Sequence, residues 1–189
     1  RHLLPILIGK NPLDINEILY EIRPRVFPQP PGAQALIDNA LWDIKGKKNN
    51  LPIYKLLGGK RDKIQSYAST VMYETIDEYL KIIEEMKNQG FKAVKFHTYC
   101  IPKKDLELAK AARVAFPNMN FMLDAENNYD LESSINVARE LEKLEYTWFE
   151  APLPDYDFIG YKKITDSVGI KIIPSGNWVV DLQRFSEAI

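Results

Sequence analysis

The sequence predicts an α/β fold built on parallel strands, and three features point to it. Short strand-like runs alternate with amphipathic helical stretches from Ile64 onward. Their spacing suits strand–helix–strand crossovers. Polar residues recur where the strand-like runs end.

The elements follow in order. From Ala35 to Lys47 the apolar residues Leu36, Ile37, Ala40, Leu41 and Ile44 recur at helical spacing, after a stop at Pro30-Pro31-Gly32. Leu51-Pro52 and Leu56-Leu57-Gly58-Gly59 punctuate the next stretch, which places a domain junction near Gly59 and divides the chain into 1–59 and 60–189. Ile64 to Thr70 then reads as a strand. Helices are expected over Asp77–Gln89, Lys104–Val114, Leu131–Leu144 and Tyr156–Ser167, and from Asp181 to Ile189. Strands are expected over Ala93–Thr98, Phe121–Ala125, Thr147–Glu150 and Lys171–Pro174. This pattern fits a closed barrel and an open sheet alike.

Composition narrows the function. The 189 residues are 46% hydrophobic and 27% charged, enough for a substantial core. The 25 basic and 26 acidic residues are mixed along the chain, which leaves no footprint for nucleic acid or an anionic membrane. Apolar runs such as Leu3–Ile8 fall far short of a membrane span. Cys100 is the only cysteine, which excludes an internal disulfide framework and fits a reducing, cytoplasmic setting. A start at Arg1 without Met, and five strands where a full barrel takes about 250 residues, read as an incomplete chain.

In parallel α/β folds chemistry gathers at the C-terminal ends of strands. Here those ends carry Lys95-Phe96-His97, Asp124-Ala125-Glu126, Glu150 and, past Ser175-Gly176, Asn177. Period-two alternation puts Lys95 and His97 on one face, and on the same rule Asp124 and Glu126. If that face is the barrel interior, two potential bases lie across from carboxylates on successive strands, whose oxygens suit a hard cation such as Mg²⁺. The plain alternatives are that Lys95 snorkels to solvent, that Glu150 pairs with a neighbouring lysine, and that Trp42, Trp148 and Trp178 are core residues.

The stretch Ala40-Leu41-Trp42-Asp43-Ile44-Lys45-Gly46-Lys47, with Leu51-Pro52-Ile53-Tyr54 and Leu56-Leu57-Gly58-Gly59, resembles the signature of the mandelate racemase and muconate lactonizing branch of the enolase superfamily. Trp148-Phe149-Glu150-Ala151-Pro152-Leu153-Pro154 resembles that family's fourth-strand motif, and Asp124 with Tyr129-Asp130-Leu131 its third. The resemblance implies the end of an α+β capping domain followed by the first half of a modified TIM-type (β/α)7β barrel. It implies Mg²⁺-dependent removal of the proton α to a carboxylate through an enediolate, with a Lys or His as base. Asp124 and Glu150 match two metal ligands, and Asn177 stands where the family usually has a third carboxylate. Lys95 matches the charge-balancing lysine of a Lys-x-Lys motif, and His97 stands in the place of the second lysine, the base. Glu126 stands where the family more often has asparagine, as if acid and amide had exchanged strands.

The expected activity is dehydration of an acid sugar. The alternatives are racemisation or epimerisation of a 2-hydroxy acid, or a non-catalytic barrel that has lost its metal. The expected partners are a small-molecule carboxylate substrate and further copies of the chain.

Overall fold

The structure is a computed structural model that describes residues 3–26, 32–177 and Ser186. The expected helix from Asp181 to Ile189, Trp178 and the Pro30-Pro31 stop lie outside the described residues. The chain forms two compact units, Arg1–Ile64 and Gln65–Ile189.

The first unit is helical, with α1 (Leu4–Leu7), α2 (Ile15–Val26), α3 (Gly32–Asn49) and α4 (Ile53–Leu56). Its core is Ile15, Ile18 and Ile22 from α2 against Leu41 of α3, with Ile37 and Trp42 partly buried beside them. The helical reading of 35–47 is met, but its apolar face is narrower than the spacing implied: Leu36 and Ile44 are exposed.

In the second unit the elements alternate. They are β1 (Ala68–Ser69), α5 (Ile76–Asn88), β2 (Ala93–His97), α6 (Pro102–Ala115), β3 (Asn120–Asp124), α7 (Leu131–Lys143), β4 (Trp148–Glu150), α8 (Phe158–Ser167) and β5 (Lys171–Ile173). Local signals set the helix starts. Thr75 and Glu78 form a reciprocal capping box at α5, and the side chains of Asp130 and Asp157 cap α7 and α8. The expected strand from Ile64 to Thr70 contracts to two residues. Ile64 is exposed, with no core to hold it as a strand, and only Ala68 and Ser69 pair with β2.

The five strands are all parallel and lie in chain order, β1-β2-β3-β4-β5. Such an order contains no topological switch point, so the open doubly wound alternative falls away. Val94, Phe96, Phe121, Leu123 and Phe149 point from the strands into one cluster with Ile83, Leu108, Ala112, Val137, Leu141 and Ile164 of the helices. All the described helices of this unit therefore cover one face.

The opposite face is curved. Tyr67, beside β1, meets Trp148 of β4 edge to face at 5.5 Å between ring centroids. Strands in a flat sheet stand about 4.8 Å apart, so β1 and β4 would be separated by roughly 14 Å. Contact between these rings fits a sheet that curls inward, as a barrel wall does.

Candidate metal and acid-base site

Register builds the site. His97 pairs with Asp124, and Asp124 pairs with Glu150, so one straight row crosses the ends of β2, β3 and β4. One step deeper on the same face lie Ser69, Lys95, Met122 and Trp148. Alternation sends the intervening Phe96, Leu123 and Phe149 to the helices.

Lys95 rises from the lower row into the upper one. Its Nζ donates to Asp124 Oδ2 at 2.8 Å and to Glu150 Oε1 at 2.9 Å. With 7% of its surface exposed, it does not snorkel to solvent. Burial works against its charge, but the hydrogen bonds and charges of Asp124 and Glu150 outweigh burial and hold Lys95 above its ordinary pKa. A lysine so held keeps its proton and acts as a fixed positive charge. Two carboxylate oxygens thus converge on one cationic atom.

His97 is fixed on three sides. Its backbone N–H donates to Thr70 Oγ1 at 3.1 Å, and its carbonyl accepts from the Tyr79 hydroxyl at 2.6 Å. Its Nδ1 lies 2.6 Å from the Thr70 carbonyl, which can only accept, so Nδ1 carries the proton. In the neutral ring Nε2 is then the free base. It lies 3.4 Å from Asp124 Oδ2, and the side chain is about a quarter exposed.

The rim is made of unusual backbone. Cys100, Glu126, Asn127 and Ala151 adopt positive φ just past the ends of β2, β3 and β4. Non-glycine residues take this conformation at a cost, and such positions cluster at functional sites. The consequence for Glu126 is a correction. β3 ends at Asp124, and the alternation rule does not carry Glu126 onto the same face; it sits in a left-handed turn with an exposed side chain. Its backbone N–H donates to Asp124 Oδ1 at 3.0 Å, which keeps it beside the row. Asn177 is also exposed. It follows Ser175, whose N–H and hydroxyl both donate to Asp155. Among the described residues no three His, Cys, Asp or Glu side chains are grouped as a ready metal cage.

Sequence reasoning missed several supports. Asp105 is fully buried and accepts from the Tyr99 and Ile101 N–H groups, from the Thr98 hydroxyl and from the Tyr129 hydroxyl. It ties the loops after β2 and β3 together. Trp148 is not simply core, because its indole N–H donates to Glu150 Oε2 at 3.0 Å. The i, i+2 spacing of Trp148 and Glu150 in one strand was the available signal.

A parallel sheet in chain order, with helices on one face and carboxylates in register around the Lys95 ammonium at its C-terminal rim, has the architecture of a (β/α) barrel wall. Comparison with known families identifies which kind. Residues 1–58 match the mandelate racemase / muconate lactonizing enzyme N-terminal domain, and residues 78–189 match the enolase C-terminal domain-like family. The chain belongs to the mandelate racemase/muconate lactonizing branch of the enolase superfamily. It is 30% identical over 177 residues to the L-talarate/galactarate dehydratase of Salmonella typhimurium, covering 88% of this chain and 44% of that protein. It is 37% identical over 122 residues to the arabinonate dehydratase of Saccharolobus solfataricus, covering 62% of this chain and 33% of that protein. The crystal structure of a Paracoccus denitrificans mandelate racemase/muconate lactonizing protein complexed with magnesium superimposes with a TM-score of 0.86 at 28% identity, over 97% of this chain and 54% of that one. Other similar proteins are o-succinylbenzoate synthases, a racemase and epimerases. The chain spans a third to a half of the length of these relatives.

Proposed function

We propose that the protein removes the proton α to a substrate carboxylate with the help of Mg²⁺, and that the reaction is dehydration of an acid sugar. The observation that carries this reading is the in-register row of His97, Asp124 and Glu150 with the Lys95 ammonium between the two acids. The donor set fits a hard cation: Asp124 Oδ2 and Glu150 Oε1 already converge on a positive atom, and both ligands are oxygens. Asp124 and Glu150 would hold the ion, with Glu126 and Asn177 at the rim completing the set. When bound, the ion supplies the positive charge that makes an otherwise too weakly acidic α-proton removable.

His97 takes the α-proton on Nε2, because Thr70 keeps Nδ1 as the donor. Lys95 stays protonated and balances the growing negative charge on the substrate carboxylate. The two dehydratase relatives support dehydration. Racemisation or epimerisation is the second reading, favoured by the racemase and epimerase relatives. The intact Lys95–Asp124–Glu150 cluster speaks against a barrel that has lost its chemistry.

The test is solvent deuterium incorporation at the α-carbon over a panel of sugar acids and 2-hydroxy acids with Mg²⁺. His97→Ala should lower exchange by about 100-fold or more, the scale of a positioned general base, while Mg²⁺ affinity stays close to wild type. Exchange at the wild-type rate in His97→Ala would place the base elsewhere. Exchange without loss of water would favour the racemase reading.

A further inference from the structure

Glu150 has its two oxygens committed in different directions. Oε1 accepts from Lys95 at 2.9 Å, toward Asp124, and Oε2 accepts from the Trp148 indole N–H at 3.0 Å. Indole nitrogen can only donate, so the direction of this bond is unambiguous. It is a hydrogen bond to a charged acceptor, the stronger kind, and it lies in a partly buried setting. The indole is itself held. Tyr67 packs edge to face against it at 5.5 Å and 78°, and Trp148 sits one pleat below Glu150 on the same face of β4.

From this geometry we propose that Trp148 is the positioning residue of the site: its N–H fixes the plane of the Glu150 carboxylate by holding one oxygen, so that the other stays turned toward Lys95 and Asp124. The inference rests on the reading of Asp124 and Glu150 as the residues that hold the cation, and it adds a residue that acts through Glu150. Without the N–H, the Lys95 bond to one oxygen is left to hold the Glu150 carboxylate against turning about its last torsion, and the convergence of the two carboxylates loosens. Tyr67 belongs to the same device, because it packs against the indole that carries the N–H.

The experiment compares Mn²⁺ binding, read by electron paramagnetic resonance of the free ion, in wild type, Trp148→Phe and Glu150→Gln. Trp148→Phe keeps a ring for Tyr67 to pack on and removes only the donor. It should weaken Mn²⁺ by about 10-fold, the lower end of what partners of ligating groups contribute. Glu150→Gln should weaken it further. An affinity in Trp148→Phe within twofold of wild type overturns the inference and leaves the metal reading standing. Absence of Mn²⁺ binding by the wild type overturns both. A second measurement needs no metal and no change at Trp148: in ¹⁵N-edited spectra one indole N–H proton should lie downfield of the others and move upfield in Glu150→Gln, as its charged acceptor is lost. Indole resonances that all stay in place in Glu150→Gln overturn the inference even if Trp148→Phe does not fold.

Discussion

Asp105 offers the sharpest test of how the rim is held together. It lies in the first turns of α6, is fully buried, and takes hydrogen bonds from two backbone N–H groups and two hydroxyls. Asp105→Ala removes all four at once, but their costs differ. Thr98 loses least, because its hydroxyl still reaches the Asp124 carbonyl at 3.2 Å. The Tyr99 and Ile101 N–H groups are only part-buried, so water can replace the carboxylate at roughly 1 kcal/mol each or less. Tyr129 is 5% exposed, and its hydroxyl is stranded at about 1–3 kcal/mol. The sum is near 3 kcal/mol, readable as a lower urea midpoint at unchanged slope. A loss under about 1 kcal/mol would refute the idea that Asp105 ties the two loops together. Acidity supplies an independent check. Burial, the largest influence, outweighs the hydrogen bonds and holds the Asp105 carboxyl above its ordinary value of 3.8. The folded state then binds this proton more tightly than the unfolded state, so its share of stability falls as pH rises from 3.8 through the raised value. Asp105→Asn should flatten stability across that window.

Lys95→Met should destabilise the metal-free protein by about 3–5 kcal/mol, since it leaves Asp124 and Glu150 facing each other without their cation. Saturating Mg²⁺ should raise the melting temperature of this variant more than that of wild type, and an equal rise would argue against a shared cation position. Tyr79→Phe removes the hydroxyl that donates to the His97 carbonyl and accepts from the Tyr73 N–H, and should cost about 2 kcal/mol in urea unfolding; an unchanged midpoint would show that water replaces it.

The parts of this protein that were legible in sequence are those fixed by periodicity. The helices from α5 to α8 and the strands from β2 to β5 fall within about two residues of expectation, because each buries a strongly patterned face. Lys95, His97, Asp124 and Glu150 were legible as well, since alternation holds inside a strand. Legibility stops where regular backbone stops. The rule that places Glu126 needs a strand, but β3 ends at Asp124, and Glu126 is the first of two left-handed residues, with Asn127. A hydrophobicity pattern reads Trp148 as core, because it weighs the ring and ignores its N–H. Asp105 is a first-turn acid of α6, and only tertiary packing brings Tyr129 onto it from the next loop.

Under the proposed function, a direct measurement decides whether Glu126 or Asn177 completes the donor set beside Asp124 and Glu150. Glu126 has the charge and lies close, for its own N–H is bonded to Asp124 Oδ1 at 3.0 Å, within reach of a side chain with two methylenes. Asn177 has a neutral oxygen at the end of a loop pinned by Asp155 through Ser175. If the acid and the amide have exchanged strands, the negative charge sits at Glu126, and Coulomb attraction over a few ångströms makes it the stronger contributor. Glu126→Gln should then lower Mg²⁺ affinity far more than Asn177→Ala, measured by calorimetry at fixed ionic strength. The paired change Glu126→Asn with Asn177→Glu should restore it, because the total charge returns with the acid on the other strand end. Equal affinity in Glu126→Gln and wild type would refute the exchange and leave Glu126 as a solvated turn residue, its backbone alone serving Asp124.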